Sequence, residues 1–104
     1  MTTPPFAYDL DEKRGLLALH GELDEPASTE LRATIMKATK ELSSDLAIDL
    51  ADVTFLPSPA IGVLATSQAD ARSRGATITF VAPAGSVAAR LLTICALDHV
   101  EDLN

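Results

Sequence analysis

Apolar and polar positions alternate with two different periods along the chain. Residues 6–10 (FAYDL) and 16–23 (LLALHGEL) have a strand-like pattern and flank the charged, turn-forming segment DEKRG at residues 11–15. Two such segments on either side of a short turn predict a β-hairpin or a pair of adjacent edge strands. The first two predicted elements are therefore neighbouring strands.

The next segment has the spacing of an amphipathic helix that starts near Pro26. Either Asp24 or Glu25 can cap this helix, and proline is tolerated in a first helical turn. Charged side chains occupy the positions between the apolar ones, so one apolar stripe faces the core. The stripe consists of Ala27, Leu31, Ile35, Ala38 and Leu42.

The remaining segments alternate strands with helices. Residues 45–50 (DLAIDL) predict a short strand, and the β-branched residues 76–82 (ATITFVA) predict a central one. A second helix lies between them and ends near Gly75, and a third helix starts near Ser86 within PAGSVAARLLTICAL. On the second helix, one face is expected to carry Ile61, Leu64, Gln68 and Ala71.

The predicted order of elements is β-β-α-β-α-β-α. Strands that alternate with helices need crossover connections, which predicts an α/β fold with parallel strand pairs. The 104 residues, 47% of them hydrophobic, suit one small domain with a single core. We expect this domain to span residues 1–104, with residues 1–5 frayed.

Charge and composition restrict the partners and the compartment. The formal charge of −7, from 15 acidic and 8 basic residues, repels nucleic acids and anionic membrane surfaces. No apolar run approaches the roughly 18 residues that membrane insertion requires, and the first residues lack a signal-peptide pattern. Cys95 lies in the apolar run LLTICAL and is expected to be a buried free thiol, which suits a reducing compartment. These features predict a cytoplasmic protein.

The sequence does not match the usual residue patterns of metal sites, phosphate-binding loops or acid–base catalysis. His20 and His99 have no neighbours at metal-ligand spacing, so we interpret both as structural or surface residues. The isolated glycines form no phosphate-binding loop. Acidic side chains in GELDEP (residues 21–26) are placed to cap a helix rather than to act as a general acid and base. We expect no enzymatic activity, no metal and no cofactor.

One serine lies between two prolines in FLPSPAIGVL, residues 55–64. A hydrolase nucleophile elbow needs glycine flanks, so this segment does not fit one. Ser58 is placed where a helix N-cap belongs, with Pro59 in the first turn, and such a cap contributes about 1 kcal/mol. Pro57 adds stiffness that capping does not need, so Ser58 is held with little backbone freedom.

Four segments carry a resemblance to a known family: residues 21–35 (GELDEPASTELRATI), 46–56 (LAIDLADVTFL), 61–83 and 90–100. With them the chain resembles the STAS domain family, in particular its stand-alone bacterial anti-sigma factor antagonists. The resemblance covers nearly the whole chain. It implies a small mixed sheet of about four to five strands with helices packed mainly on one face.

The resemblance also implies a site at the start of the second helix. There the family has the motif D-S-S/T-G-[LI]-G, whose first serine is phosphorylated by a partner kinase that is also the anti-sigma factor. Ser58 matches that serine, whereas Pro57, Pro59 and Ala60 depart from the motif. The implied partner is an anti-sigma factor of the histidine-kinase-like serine kinase type. The residues expected to contact it are Glu22, Leu23, Asp24, Pro57, Ser58, Pro59, Ala60, Ile61, Gly62, Ala84 and Gly85.

Two functions fit these expectations. In the first, the protein binds an anti-sigma factor, releases a sigma factor, and is switched at Ser58. In the second, it is a constitutive scaffold or regulatory subunit of a transport or signalling complex, and Ser58 only caps a helix. For Leu23 and Ile61, core packing is as good an interpretation as partner contact.

Overall fold

The computed structural model describes residues 6–103, and this part of the chain has the predicted order of strands and helices. The expected fraying of residues 1–5 concerns positions outside the described residues. The elements are β1 (Ala7–Asp11), β2 (Leu16–Glu22), α1 (Glu25–Ala38), β3 (Leu46–Phe55), α2 (Ser58–Ser73), β4 (Ile78–Val81) and α3 (Val87–Ile94).

The strands form one mixed sheet in the order β1-β2-β3-β4. Strands β1 and β2 form the predicted antiparallel hairpin, and Gly15 ends its turn with a φ of +60°. Strands β2, β3 and β4 pair in parallel, because helices α1 and α2 provide the crossover connections between them. The carboxyl ends of β2, β3 and β4 therefore point in the same direction.

One face of the sheet carries the core. Leu17, Ile48 and Phe80 are partners across β2, β3 and β4, and all three are fully buried. Apolar side chains of the three helices join the same hydrophobic cluster, with Leu31, Leu64 and Leu92 each fully buried. The preceding residue on each strand is only half-buried, namely Leu16, Ala47 and Thr79, which also pair across the sheet. The helices thus pack on one face of the sheet, as predicted, and the other face stays open.

Helix α1 ends earlier than its apolar stripe predicts. We expected Leu42 to lie on the helix, but α1 ends at Ala38, and residues 40–42 have φ values between +50° and +65°. The buried Thr39 supports this left-handed turn, because its hydroxyl donates to the Ile35 carbonyl at 2.7 Å and accepts the Leu42 N–H at 2.9 Å. Leu42 is still buried, but it reaches the core through the turn.

The end of α2 and the start of α3 agree with the sequence, whereas the expected burial of Cys95 needs a correction. Gly75 follows the α2 C-cap with a φ of +83°, and the Ser86 hydroxyl accepts the Ala89 N–H at 3.1 Å. Cys95 is exposed rather than buried, because α3 ends at Ile94 and Cys95 forms its C-cap outside the core. Within the described residues, no helix is both long enough and apolar enough to cross a membrane.

Candidate partner-binding site

Two of the three segments expected to bind a partner meet where β2 and β3 end. The Leu23 N–H donates to the Phe55 carbonyl at 2.9 Å, which joins the loop after β2 to the last residue of β3. Helix α2 starts at Ser58, three residues after Phe55. Residues 22–24 and 55–62 therefore lie together at one end of the sheet, and we call this region the site edge.

Asp24 positions the first part of the site edge. Its carboxylate accepts the Ala27 N–H at 3.0 Å, so Asp24 rather than Glu25 caps α1. Its carbonyl accepts both the N–H and the hydroxyl of Ser28, at 2.9 and 3.0 Å. The loop after β2 is thus held by its own helix cap, while the Asp24 side chain remains exposed.

Two side chains of the expected contact set do not reach the surface. Leu23 and Ala60 are fully buried and belong to the core cluster. They hold the site edge against the sheet and cannot themselves contact a partner. Ile61 is half-buried, whereas Ser58, Pro59 and Gly62 are exposed at the start of α2. The accessible part of the site is therefore smaller than the sequence predicts.

The prediction that Ser58 is the N-cap of α2 is wrong. Pro57 holds that position with extended backbone angles (φ −75°, ψ 168°), and no side chain caps the helix. The Pro57 carbonyl accepts the Ile61 N–H at 3.1 Å, so the helix gains one more hydrogen bond by starting one residue earlier than expected. Ser58 is exposed at the start of α2, and its hydroxyl makes no hydrogen bond within the described residues.

Backbone geometry limits what α2 offers to an anion. The first N–H groups of a helix lack intrahelical acceptors, but Pro59 has no N–H. Ser58 and Ala60 supply the remaining free donors of the first turn. Gly62 has open space around the position of a Cβ atom, so within the described residues no contact requires a glycine there.

The third predicted segment lies in the loop after β4 and lines a surface cavity beside α3. Strand β4 pairs with β3 only up to Val81 and Asp49, and β3 continues for six more residues to Phe55. The pairing of β4 with β3 therefore stops before β3 ends. Ala84 and Gly85 line a different surface cavity of about 430 Å³ beside α3.

Sequence reasoning missed a polar cluster on the open face of the sheet. His20 Nε2 lies 3.0 Å from an Asp9 carboxylate oxygen, and His20 Nδ1 lies 3.1 Å from one of Asp52. Both ring nitrogens lie within hydrogen-bond distance of a carboxylate, so His20 joins β1, β2 and β3. All three side chains are substantially exposed, and such pairs contribute about 1 kcal/mol or less. Pairing of β1, β2 and β3 brings these three residues together, and no local sequence pattern predicts the cluster.

Asp24 allows its structural role to be separated from a binding role. We expect Asp24→Ala to lower the free energy of unfolding by about 1 kcal/mol, because the α1 cap is lost. Asp24→Asn should keep the cap and remove only the charge. Urea denaturation followed by circular dichroism measures both variants. Equal destabilisation by alanine and asparagine would show that charge rather than capping dominates at this position.

The fold and the site edge together define a small mixed α/β domain with three helices on one face and an exposed serine at a helix start. The family model described as "Mlab, STAS domain" matches residues 6–103, and the chain belongs to this STAS domain family. The predicted family membership and fold are thereby confirmed.

Three solved structures share this fold. An anti-sigma factor antagonist from Mycobacterium paratuberculosis aligns with a TM-score of 0.73 and 19% identity, covering 95% of this chain and 86% of that one. The anti-sigma factor antagonist SpoIIAA in its unphosphorylated form aligns with a TM-score of 0.66 and 16% identity, covering 96% and 90%. The Bacillus cell fate determinant SpoIIAA in its phosphorylated form aligns with a TM-score of 0.66 and 17% identity, covering 89% and 85%. At these identities the likeness establishes the fold.

Proposed function

We propose that this protein is a cytoplasmic anti-sigma factor antagonist. In its unmodified form it binds an anti-sigma factor through the site edge and so releases a sigma factor. Phosphorylation of Ser58 breaks that complex. The observation that carries the proposal is the exposed, unbonded Ser58 hydroxyl on the first residue of α2, next to the loop of residues 22–24. Solved structures of SpoIIAA in unphosphorylated and phosphorylated forms support the proposal at the level of the family.

The proposed reaction is a phosphoryl transfer from ATP on the partner, a serine kinase of the histidine-kinase-like type. The Ser58 oxygen attacks the γ-phosphorus, the bond to the β-phosphate oxygen breaks, and the serine proton passes to a base on the kinase, which leaves phosphoserine and ADP. This domain supplies only the substrate hydroxyl and acts as no enzyme in that step. Its contribution is to hold Ser58 at a defined position on a packed helix.

A phosphate at this position should not disturb the fold. Negative charge near a helix N-terminus is favourable by a fraction of a kcal/mol when the site is exposed. Ala60 and Leu64 anchor the first turns of α2 in the core, and both are fully buried. The effect of modification must therefore fall on the complex, where the added charge has to be desolvated.

The phosphorylation step can be tested directly with purified proteins. The chain is incubated with ATP, magnesium and each histidine-kinase-like anti-sigma factor of its source organism, and intact mass and pull-down are read together. We expect a gain of one phosphate that is absent in Ser58→Ala. The matched control is Ser73→Ala, which removes an exposed serine from the opposite end of α2. A phosphate that persists in Ser58→Ala would contradict the assignment of the switch to this residue.

A second function is favoured by the prolines around Ser58. Pro57 and Pro59 restrict how the segment can adjust in a kinase active site, and Pro59 removes a backbone donor that would help to hold a phosphate. A constitutive STAS scaffold or regulatory subunit of a transport or signalling complex needs no such adjustment. Tight binding to a partner without any gain of phosphate would support this second function over the switch.

A further inference from the structure

Phe55 is an exposed aromatic side chain at the centre of the site edge. It is the last residue of β3, and 48% of its surface is accessible, whereas the nearby Val53 and Leu56 are buried. Phe55 pairs with Glu22 across β2 and β3, and its carbonyl accepts the Leu23 N–H. It therefore lies between the loop after β2 and the start of α2, although no sequence pattern assigned it to the site.

The acidic residues around Phe55 have no basic residues near them in the sequence. Residues 15–31 and 41–71, which contain β2, the start of α1, β3 and most of α2, include no lysine or arginine. Within the described residues Glu22 forms no salt bridge, while His20 is occupied by Asp9 and Asp52. Glu22 is thus a carboxylate without a cation next to a half-exposed aromatic ring.

Basic side chains are concentrated at the other end of the molecule. The hairpin turn, the end of α1 and the end of α2 all lie opposite the carboxyl ends of the parallel strands. These positions carry Lys13, Arg14, Lys37, Lys40, Arg72 and Arg74, interspersed with the acidic Asp11, Glu12, Glu41 and Asp45. The site edge has Glu22 and Asp24 and no lysine or arginine, so it is more negative than the opposite end and attracts a basic partner rather than an acidic one.

We propose that Phe55 is the apolar anchor of the partner interface, and that the partner receives it in an apolar pocket bordered by arginine or lysine side chains. This inference rests on the proposed function and specifies the chemistry of the anti-sigma factor surface. An aromatic side chain loses little conformational entropy on binding, and burial of its exposed half gives a large apolar gain. A guanidinium group can stack on the ring and pair with Glu22 at the same time. The anchor and the Ser58 switch are then separate points of one interface.

The anchor is tested by calorimetric titration of an anti-sigma factor that binds the wild-type chain. We expect Phe55→Ala to weaken binding about tenfold or more, as truncation of an interface anchor does. Thermal unfolding of the free variant should stay close to that of the wild type. The matched control is Ile94→Ala, which truncates a 72% exposed apolar side chain on α3 and should leave the affinity unchanged.

The basic character of the partner surface is tested by charge reversal. Glu22→Lys should weaken binding and reduce its dependence on salt, whereas Asp70→Lys, at an exposed position near the end of α2, should do neither. If the wild type binds but Phe55→Ala binds equally well, the anchor is refuted and the proposed function stands. If the wild type binds no anti-sigma factor of its source organism, the proposed function fails and the anchor fails with it.

Discussion

Phosphorylation of Ser58, or its replacement by aspartate, is expected to lower the affinity for the anti-sigma factor by about a hundredfold or more, which corresponds to about 2.7 kcal/mol. The exposed hydroxyl lies on the first residue of α2, at the site edge. In the proposed complex a charge at this position enters the interface and must be desolvated, and an unpaired buried charge costs several kcal/mol. The fold itself should tolerate the change, since a negative charge at a helix N-terminus is favourable.

The measurement is the dissociation constant of the complex for four forms of the chain. The wild type and Ser58→Ala should bind alike, because alanine removes only an unbonded hydroxyl. Ser58→Asn is the matched control for Ser58→Asp, because the two side chains have nearly the same shape and differ in charge. If asparagine weakens the complex as much as aspartate, steric bulk rather than charge operates the switch. If neither weakens it, Ser58 is not a switch, and the constitutive scaffold becomes the better assignment.

Phe80→Ala is expected to be the most destabilising of the substitutions considered, with a loss of about 3 to 5 kcal/mol in the free energy of unfolding. Phe80 is fully buried, lies opposite Ile48 in the β3–β4 pairing, and is among the largest fully buried side chains. Truncation removes its buried apolar surface and leaves a cavity between the sheet and the helices. Because small domains have a total stability of about 5 to 15 kcal/mol, part of the variant should be unfolded at physiological temperature.

Urea denaturation followed by circular dichroism gives this loss, and Phe55→Ala is its matched control. Both variants remove a phenylalanine ring from neighbouring strands, but Phe55 is half-exposed and its loss should cost about 1 kcal/mol or less. The two variants should therefore show different defects. Phe80→Ala should lose stability, and Phe55→Ala should lose affinity for the partner. A loss below about 1 kcal/mol for Phe80→Ala would mean that this ring does not fill the core.

Local pattern determined the elements of this protein and their order. The hairpin, the starts of α1 and α3 and the end of α2 follow from features within a few residues, such as the turn before Gly15, the acidic cap before Pro26 and the glycine at position 75. Hydrophobic period indicates which side of an element faces the core, because a buried face repeats every two residues in a strand and about every 3.6 in a helix. The resemblance to STAS domains supplied the candidate serine.

Several features of the site depend on contacts that the sequence does not display. The cap assignment at Ser58 was wrong by one position, because the Pro57 carbonyl finds a partner in the Ile61 N–H. The burial of Leu23 and the exposure of Phe55 follow from the point at which β3 ends against β2. Both depend on register, which is set by packing across elements and not by the residues of one strand.

Chain order, helix positions and the buried face were thus encoded locally, and the sequence by itself determined them. Tertiary structure alone decided that residues 22–24 meet the end of β3, that Ala84 and Gly85 line a cavity beside α3, and that His20 joins Asp9 to Asp52. The physical reason is that propensity and periodicity act within a few residues. Strand pairing, by contrast, joins residues far apart in the chain, and its register is selected by the fit of the whole core.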